Sequence, residues 1–444
     1  MRLTKVILLL ITFAALWLAG APTASAHVVP TSSIQLDVGY GVIRAAVGIP
    51  VSDLQSATGI DLGDRSAAAV NQHASAIRQY LLAHFTPTSD DGQAWTVSLG
   101  PLSVKTTGNA ATTGLYPELD TVFTLTPPAG SDENSFNLGY NAIVDHVATH
   151  VVIVTARSSG TTYAVGSISR DTVTNTVQPL HVDLGSGREY RGFVGLLGLG
   201  VEHIREGTDH QLFLLTLLLP APLLARAGRW SGVVGARRAI RRIATITLSF
   251  TVGHSVTLAL GALGVPVPQH LVEALIAVSI LVAAAHAVRP LFPGREALVA
   301  ASFGLIHGLA FAEALRALHL SGVQLVLALL GFNLGIEAMQ LLIVALVLPP
   351  LILLARSGRY RILRVMAAGA TGIAAAGWLG ARVGWANPVA DAADRIGVVA
   401  VPAVAALWLA AIVITFTARR RRGPADPAQD GYIASGALVG SPNP

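Results

Sequence analysis

The chain contains no cysteine, and only three of its 444 residues are methionine. Disulfides, thiolate nucleophiles, Cys-ligated zinc and iron–sulfur clusters are therefore excluded, and a soft Cu(I) pathway is poorly supplied. Charge is scarce as well, with Asp, Glu, Lys and Arg making up 12% of the residues against 52% hydrophobic, at a mean hydropathy of +0.59. That balance belongs to a membrane protein. No Walker motif occurs, which argues against direct ATP hydrolysis. The formal net charge of +5 does not point to nucleic acid, because the arginines cluster between and after apolar spans, where they report topology. What the chain does hold is 13 histidines together with carboxylates. Such donors suit borderline divalent metals such as nickel, cobalt or zinc, or protons, since imidazole titrates near neutral pH.

The first 26 residues read as a secretory signal peptide: Arg2 and Lys5, an apolar run from Val6 to Gly20, and a small-residue cleavage site at Ala24-Ser25-Ala26. Cleavage there would make His27 the new N-terminus, an amine and an imidazole on one residue. Residues 27–190 have the composition of an extracytoplasmic, β-rich domain. Ser33 to Pro50 alternates around Gly39 and Gly41 like paired strands, and further short strands are expected at Trp95 to Leu102, Leu119 to Thr126, Val151 to Ala156, Tyr163 to Ile168 and His181 to Leu184. One helix is expected from Asp64 to Phe85, with Asp64 as N-cap. Together these predict a small β-sandwich-like domain. His146 and His150 lie four apart beside its most apolar strand, a spacing more often structural than ligating.

Residues 191–418 form the membrane part, a multi-pass α-helical bundle of about seven spans of roughly 20 residues each. The spans run near Phe193 to Leu219, Ile243 to Leu263, Leu271 to Val288, Ala297 to Leu318, Val323 to Leu354, Val365 to Val383 and Ile396 to Thr417. The fifth is long enough to tilt, or to break near Pro349-Pro350. Loops with Arg226, Arg229, Arg237, Arg238, Arg241 and Arg242, with Arg289 and Arg295, and with Arg356, Arg359, Arg361 and Arg364 are expected on the cytoplasmic side, as is Arg419 to Arg422. This places the β-rich domain outside and the C-terminus inside, in the plasma membrane. Residues 419–444 read as a disordered cytoplasmic tail.

The stretch around which the chain is organised is FVGLLGLGVEHIREGTDHQLFLLTLLL, from Phe193 to Leu219. It is apolar enough to cross a bilayer, yet holds Glu202, His203, Arg205, Glu206, Asp209 and His210. Each ionisable group at membrane depth costs roughly 2.5–3.5 kcal/mol on insertion scales, so this cluster is expected to line a polar interior. In a continuous helix His203 and His210 lie on one line two turns apart, and Arg205 can pair with Asp209. Further polar groups occur at His254 in the second span, Glu273 and His286 in the third, His307 in the fourth, and Asn333, Glu337 and Gln340 in the fifth. Each alone fits an interhelical hydrogen bond; four spans offering His or Glu at similar depth suggest more.

These residues carry a resemblance to the HupE/UreJ family of membrane proteins, associated with nickel uptake for hydrogenase and urease maturation. The family's first-span motif of His, five residues, then Asp-His is matched by His203, Asp209 and His210, with Gly207 in place. Its second motif is approximated by FGLIHGLAFAEAL, where Ile306 precedes His307 and Glu313 is shifted by one position. The segments FTVGHSVTLALGALG, VEALIAVSI and FNLGIEAMQ are similar as well. The N-terminal domain marks a longer branch of the family. The resemblance implies a divalent metal permease, for Ni2+ or Co2+ as the transported ion with no tightly bound cofactor, using His203, Asp209, His210 and His307, with His254 and Glu337 extending the path. Two other readings stay open: a membrane-embedded metal-dependent hydrolase, and a metal-responsive assembly or sensing protein whose outer domain binds a protein partner.

Overall fold

A computed structural model describes residues 31–39, 41–109, 114–147, 150–158, 161–171, 176–185, 188–263, 265, 268–311, 322–385, 387–394 and 400–421. The signal peptide, His27, Glu313 and the C-terminal tail beyond Arg421 lie outside the described residues. A β-rich region comes first and a helical region follows, as the composition requires.

The β-rich region contains β1 (Thr31–Val38), β2 (Ile43–Pro50), β3 (Phe85–Ser89), β4 (Thr96–Leu99), β5 (Ser103–Asn109), β6 (Gly114–Thr126), β7 (Ser135–Tyr140), β8 (Val151–Ser158), β9 (Thr161–Ile168) and β10 (Leu180–Asp183). Seven of these form one sheet in the order β4-β6-β2-β1-β8-β9, with β5 paired to β6, and β10-β7-β3 form a second. All pairings are antiparallel except β1 with β8, which run parallel from Thr31↔Val151 to Asp37↔Arg157. The alternating buried positions Ile34 and Leu36, Phe123 and Leu125, and Phe136, Leu138 and Tyr140 fill a core shared by the two sheets. Phe85 of one sheet stacks on Phe123 of the other at 4.1 Å.

Where one helix is expected there are two, α2 (Ala67–Gln72) and α3 (Ala74–Ala83), preceded by α1 (Val51–Thr58). The N-cap is Ser66, whose hydroxyl accepts from the Ala69 N–H at 3.3 Å. Asp64 instead accepts from the Ser66 N–H and shapes the turn before it. His146 and His150 part company: His146 is exposed, whereas His150 is fully buried. Its Nε2 meets Ser32 Oγ at 2.8 Å and its Nδ1 meets Asp53 Oδ2 at 3.0 Å. Ser–His–Asp in this order also describes a catalytic triad, but Ser32 is 0% exposed and offers a substrate no approach. The chain ties the first strand, α1 and the start of β8 together.

In the helical region the first expected span is interrupted, giving α4 (Arg188–Glu206) and α5 (Thr208–Leu218). A short hairpin, β11 (Leu223–Arg226) with β12 (Arg229–Val233), occupies the arginine-rich connection. Then come α6 (Ala236–Ala262), α7 (Gln269–Val288), α8 (Glu296–Ala310), α9 (Gly322–Leu354), α10 (Tyr360–Arg382), α11 (Pro388–Asp394) and α12 (Ala400–Arg421). Among the described residues five helices are long and apolar enough to cross a membrane, in α6, α7, α9, α10 and α12. The described part of α8 is a shorter apolar helix of 15 residues.

Pro349 and Pro350 do not break α9, which continues to Leu354. Pro350 cannot donate to the Leu346 carbonyl, and Trp408 Nε1 on α12 donates to it at 2.8 Å instead. The ends of α7 are tied by side chains: Glu273 pairs with Arg382 at 3.2 Å, and the buried Arg364 donates to the Ala287 and Val288 carbonyls. These satisfy last-turn acceptors that a helix cannot serve itself.

Glycines bring two helix pairs into backbone contact. A Cβ at Gly200 of α4 would collide with the Phe332 carbonyl of α9, and one at Gly335 with the Leu197 carbonyl. Likewise Gly253 of α6 faces the Ala301 carbonyl, and Gly304 and Gly308 of α8 face those of Phe250 and His254. Such contacts suit apolar surroundings, where close packing rather than solvent exclusion drives association.

Two outcomes are expected. His150→Ala should leave Ser32 and Asp53 without their buried partner, costing the β-rich region about 2–3 kcal/mol, visible as faster amide hydrogen exchange in β1 and β8. Gly304→Ala should cost about 1–3 kcal/mol, lowering the melting temperature of the detergent-solubilised protein by several degrees, while Gly198→Ala, where a Cβ meets nothing within 4 Å, should not. Unchanged exchange in the first case, or equal melting in the second, would contradict these assignments.

Candidate metal centre

The break in the first span makes the site. At 1.5 Å rise per residue, seven residues of continuous helix would separate His203 from His210 by about 10 Å along the axis. At Gly207 the backbone turns to φ −68°, ψ 88°, ending α4 and starting α5, and the two rings approach to 4.7 Å between centroids. A Cβ at Gly207 would lie 2.6 Å from the His203 carbonyl oxygen and 3.0 Å from His210 Nδ1, so only glycine fits. The interruption deprives carbonyls at the end of α4 of their helical donors, and the Gln211 amide donates to two of them, Ile204 at 3.2 Å and Arg205.

Arg205 does not pair with Asp209. Its guanidinium binds Glu202 and, at 2.8 Å, Asp171, which follows β9 in the β-rich region. Glu202 also accepts from Ser169 Oγ at 3.0 Å. The two regions meet along this face, where Ile153 and Ala164 share a core with Leu196, Leu199 and Phe332. Much of the charge in the organising stretch therefore serves this junction.

Asp209 belongs to the histidines. Its Oδ1 lies 2.9 Å from His210 Nδ1. A carboxylate only accepts, so Nδ1 carries the proton and Nε2 is left with a lone pair. His307 of α8 reaches the same tautomer question from the other side. Ser279 of α7 directs its hydroxyl at the Ile276 carbonyl, 2.7 Å away, and therefore accepts from His307 Nε2–H at 3.0 Å. The lone pair of His307 is then on Nδ1. His210 Nε2, His307 Nδ1, His203 Nε2 and both ring nitrogens of His254 are buried, and none has a hydrogen-bond partner among the described residues.

These atoms converge. Among the described residues, donor atoms of His203, His210 and His254 lie within 4.8 Å of one another, and so do those of Asp209, His210 and His307. The wall is aromatic. Phe311 and Phe332 stack at 4.6 Å with His203 against both, while Phe213 and Phe250 flank His307 at 5.4 and 5.2 Å. An imidazole- and carboxylate-lined cage of this kind matches the donor preference of first-row divalent cations.

Five of the six expected site residues are thus brought together, and one is not. Glu337 stands outside both donor groups; its Oε2 accepts from Thr251 Oγ1 at 2.6 Å, one turn from His254 on α6. Its spacing from Asn333 placed it correctly on the inner face of α9 but could not show that a hydroxyl would take it. His286 is stacked on Phe292 at 3.9 Å, and its Nδ1 accepts from the Leu291 N–H. Ser279, which fixes the His307 tautomer, had no assigned role; a lone hydroxyl in an otherwise apolar span was the available signal.

Residues 182–382 match the family model described as HupE / UreJ protein, and this range contains every residue of the cage. No curated protein and no solved structure matches the chain. The match covers α4 through α10 and includes the His203, Asp209 and His210 motif on either side of the Gly207 break, so it is over this stretch that the chain is similar to the HupE/UreJ family.

Proposed function

We propose that the protein is a permease that moves a divalent first-row cation, nickel or cobalt, across the plasma membrane through the histidine cage. The observation that carries this reading is the set of buried, partnerless imidazole nitrogens. A buried acceptor with no donor costs about 1–3 kcal/mol, and several in one place call for a ligand that supplies positive charge. A divalent cation does so, and imidazole with one carboxylate binds it without the closed tetrahedral shell of a structural zinc site. Conduction needs binding strong enough to desolvate the ion and weak enough to let it leave. The HupE/UreJ family is associated with nickel and cobalt transport, which supports the same cargo.

In this reading the β-rich region is extracytoplasmic, following a cleaved signal peptide, and the arginine-rich connections face the cytoplasm. Uptake is driven by the membrane potential or an ion gradient. Asp209 holds His210 in the tautomer that presents Nε2, and Ser279 does the equivalent for His307. The aromatic walls exclude water and so strengthen the ion's attraction to the carboxylate.

Uptake of radioactive nickel and cobalt by cells expressing the protein tests this directly. His203→Ala and His210→Ala should bring uptake to background at matched membrane levels, whereas Glu337→Gln should leave a measurable fraction because Glu337 only holds Thr251. Normal uptake in both histidine variants would overturn the assignment of the cage.

A further inference from the structure

The two groups of donors overlap in one residue. His203, His210 and His254 form one three-donor group, Asp209, His210 and His307 form the other, and His210 is common to both. Its ring lies between its neighbours, 4.7 Å from that of His203 and 4.9 Å from that of His307. A neutral imidazole has a single lone pair, so His210 can complete one group at a time. The groups also differ in charge: the first is all imidazole, the second includes a carboxylate. Building on the permease reading, we propose that the groups are two successive positions of one transported cation, which is handed from one to the other across His210.

The surrounding structure supplies what such a transfer needs. Asp209 Oδ1 holds His210 Nδ1–H, and a carboxylate has a second oxygen with which to join the ion's shell in the second position. No proton has to move. His254 and His307 sit on α6 and α8, locked together at Gly253, Gly304 and Gly308, while His203 sits on α4, locked to α9 at Gly200 and Gly335. His210 is carried, together with Asp209, by α5, the short helix that begins at the Gly207 break. The shared ligand thus lies on an element separate from the helices that hold His203, His254 and His307, and a small displacement of its ring changes whether it completes the group with His203 and His254 or the one with Asp209 and His307. Adjacent sites of limited strength, sharing a ligand, let an ion advance without ever being fully released into an apolar wall.

Cobalt(II) is a suitable probe, because its visible absorption reports ligand type and number. The purified full-length protein in detergent, titrated with Co2+ alone, should bind one ion per chain. His203→Ala and His307→Ala should each still bind one ion, weakened by roughly tenfold or more and with different spectra, because each leaves the other position. Both should lose uptake in cells. Asp209→Asn, which can still accept from Nδ1–H, should keep the spectrum of the His203, His210 and His254 position and lose uptake. His210→Ala should bind none. Two ions bound by the unchanged protein, or abolition of binding by either His203→Ala or His307→Ala in a chain that keeps its helical circular dichroism, would overturn the handover. If the unchanged protein takes up cobalt while showing one indivisible site, only the handover fails. If it neither binds nor takes up cobalt, the permease reading fails first.

Discussion

Imidazole lone pairs held in a water-poor cage are the constraint to which the helical region answers. Each unmet acceptor is unfavourable by about 1–3 kcal/mol, and placing several together requires the rest of the bundle to hold them there. The glycine contacts between α4 and α9 and between α6 and α8 do this with backbone against backbone. Hydrogen bonds from neighbours fix the direction of two rings: Asp209 for His210 and Ser279 for His307. The aromatic side chains keep water out. Together they bring the donor atoms of five side chains into one buried place.

The break at Gly207 couples this cage to the β-rich region. Because α4 ends there, its last turn carries His203 inward while Arg205 and Glu202 face Asp171 and Ser169. Three residues of one helical turn therefore connect the interior of the bundle with the surface on which the sheet rests. Gln211 satisfies the carbonyls released by the break, so the interruption is stable without solvent.

Composition and periodicity were enough to separate a β-rich region from a helical one, and to place the spans within a few residues of the observed helices. The same reasoning singled out five residues that the fold brings close together, because a histidine or carboxylate in an apolar span is costly wherever it points. Three things were not legible. The Gly207 break leaves no period of its own, so a continuous helix was the natural reading and with it the pairing of Arg205 with Asp209. Glu337 shares depth with the histidines, but its partner, Thr251, is decided by the crossing of α6 and α9. The tie of His150 to Ser32 and Asp53 joins residues about a hundred positions apart, which no local spacing reports.

The parallel pairing of β1 with β8 sets an order of events in biosynthesis. Thr31 finds its partner at Val151, so the central strand of the seven-stranded sheet stays unpaired on one side until some 120 residues have followed it. Non-local pairing of this kind is slow, and until it closes β1 presents an open edge to other chains. The sheet is completed by β8 and β9, the strands that abut α4, shortly before α4 itself is made. Closure of the sheet and synthesis of the helix that carries His203 therefore fall in the same interval, and a chain delayed in one meets the other with its junction surface still bare.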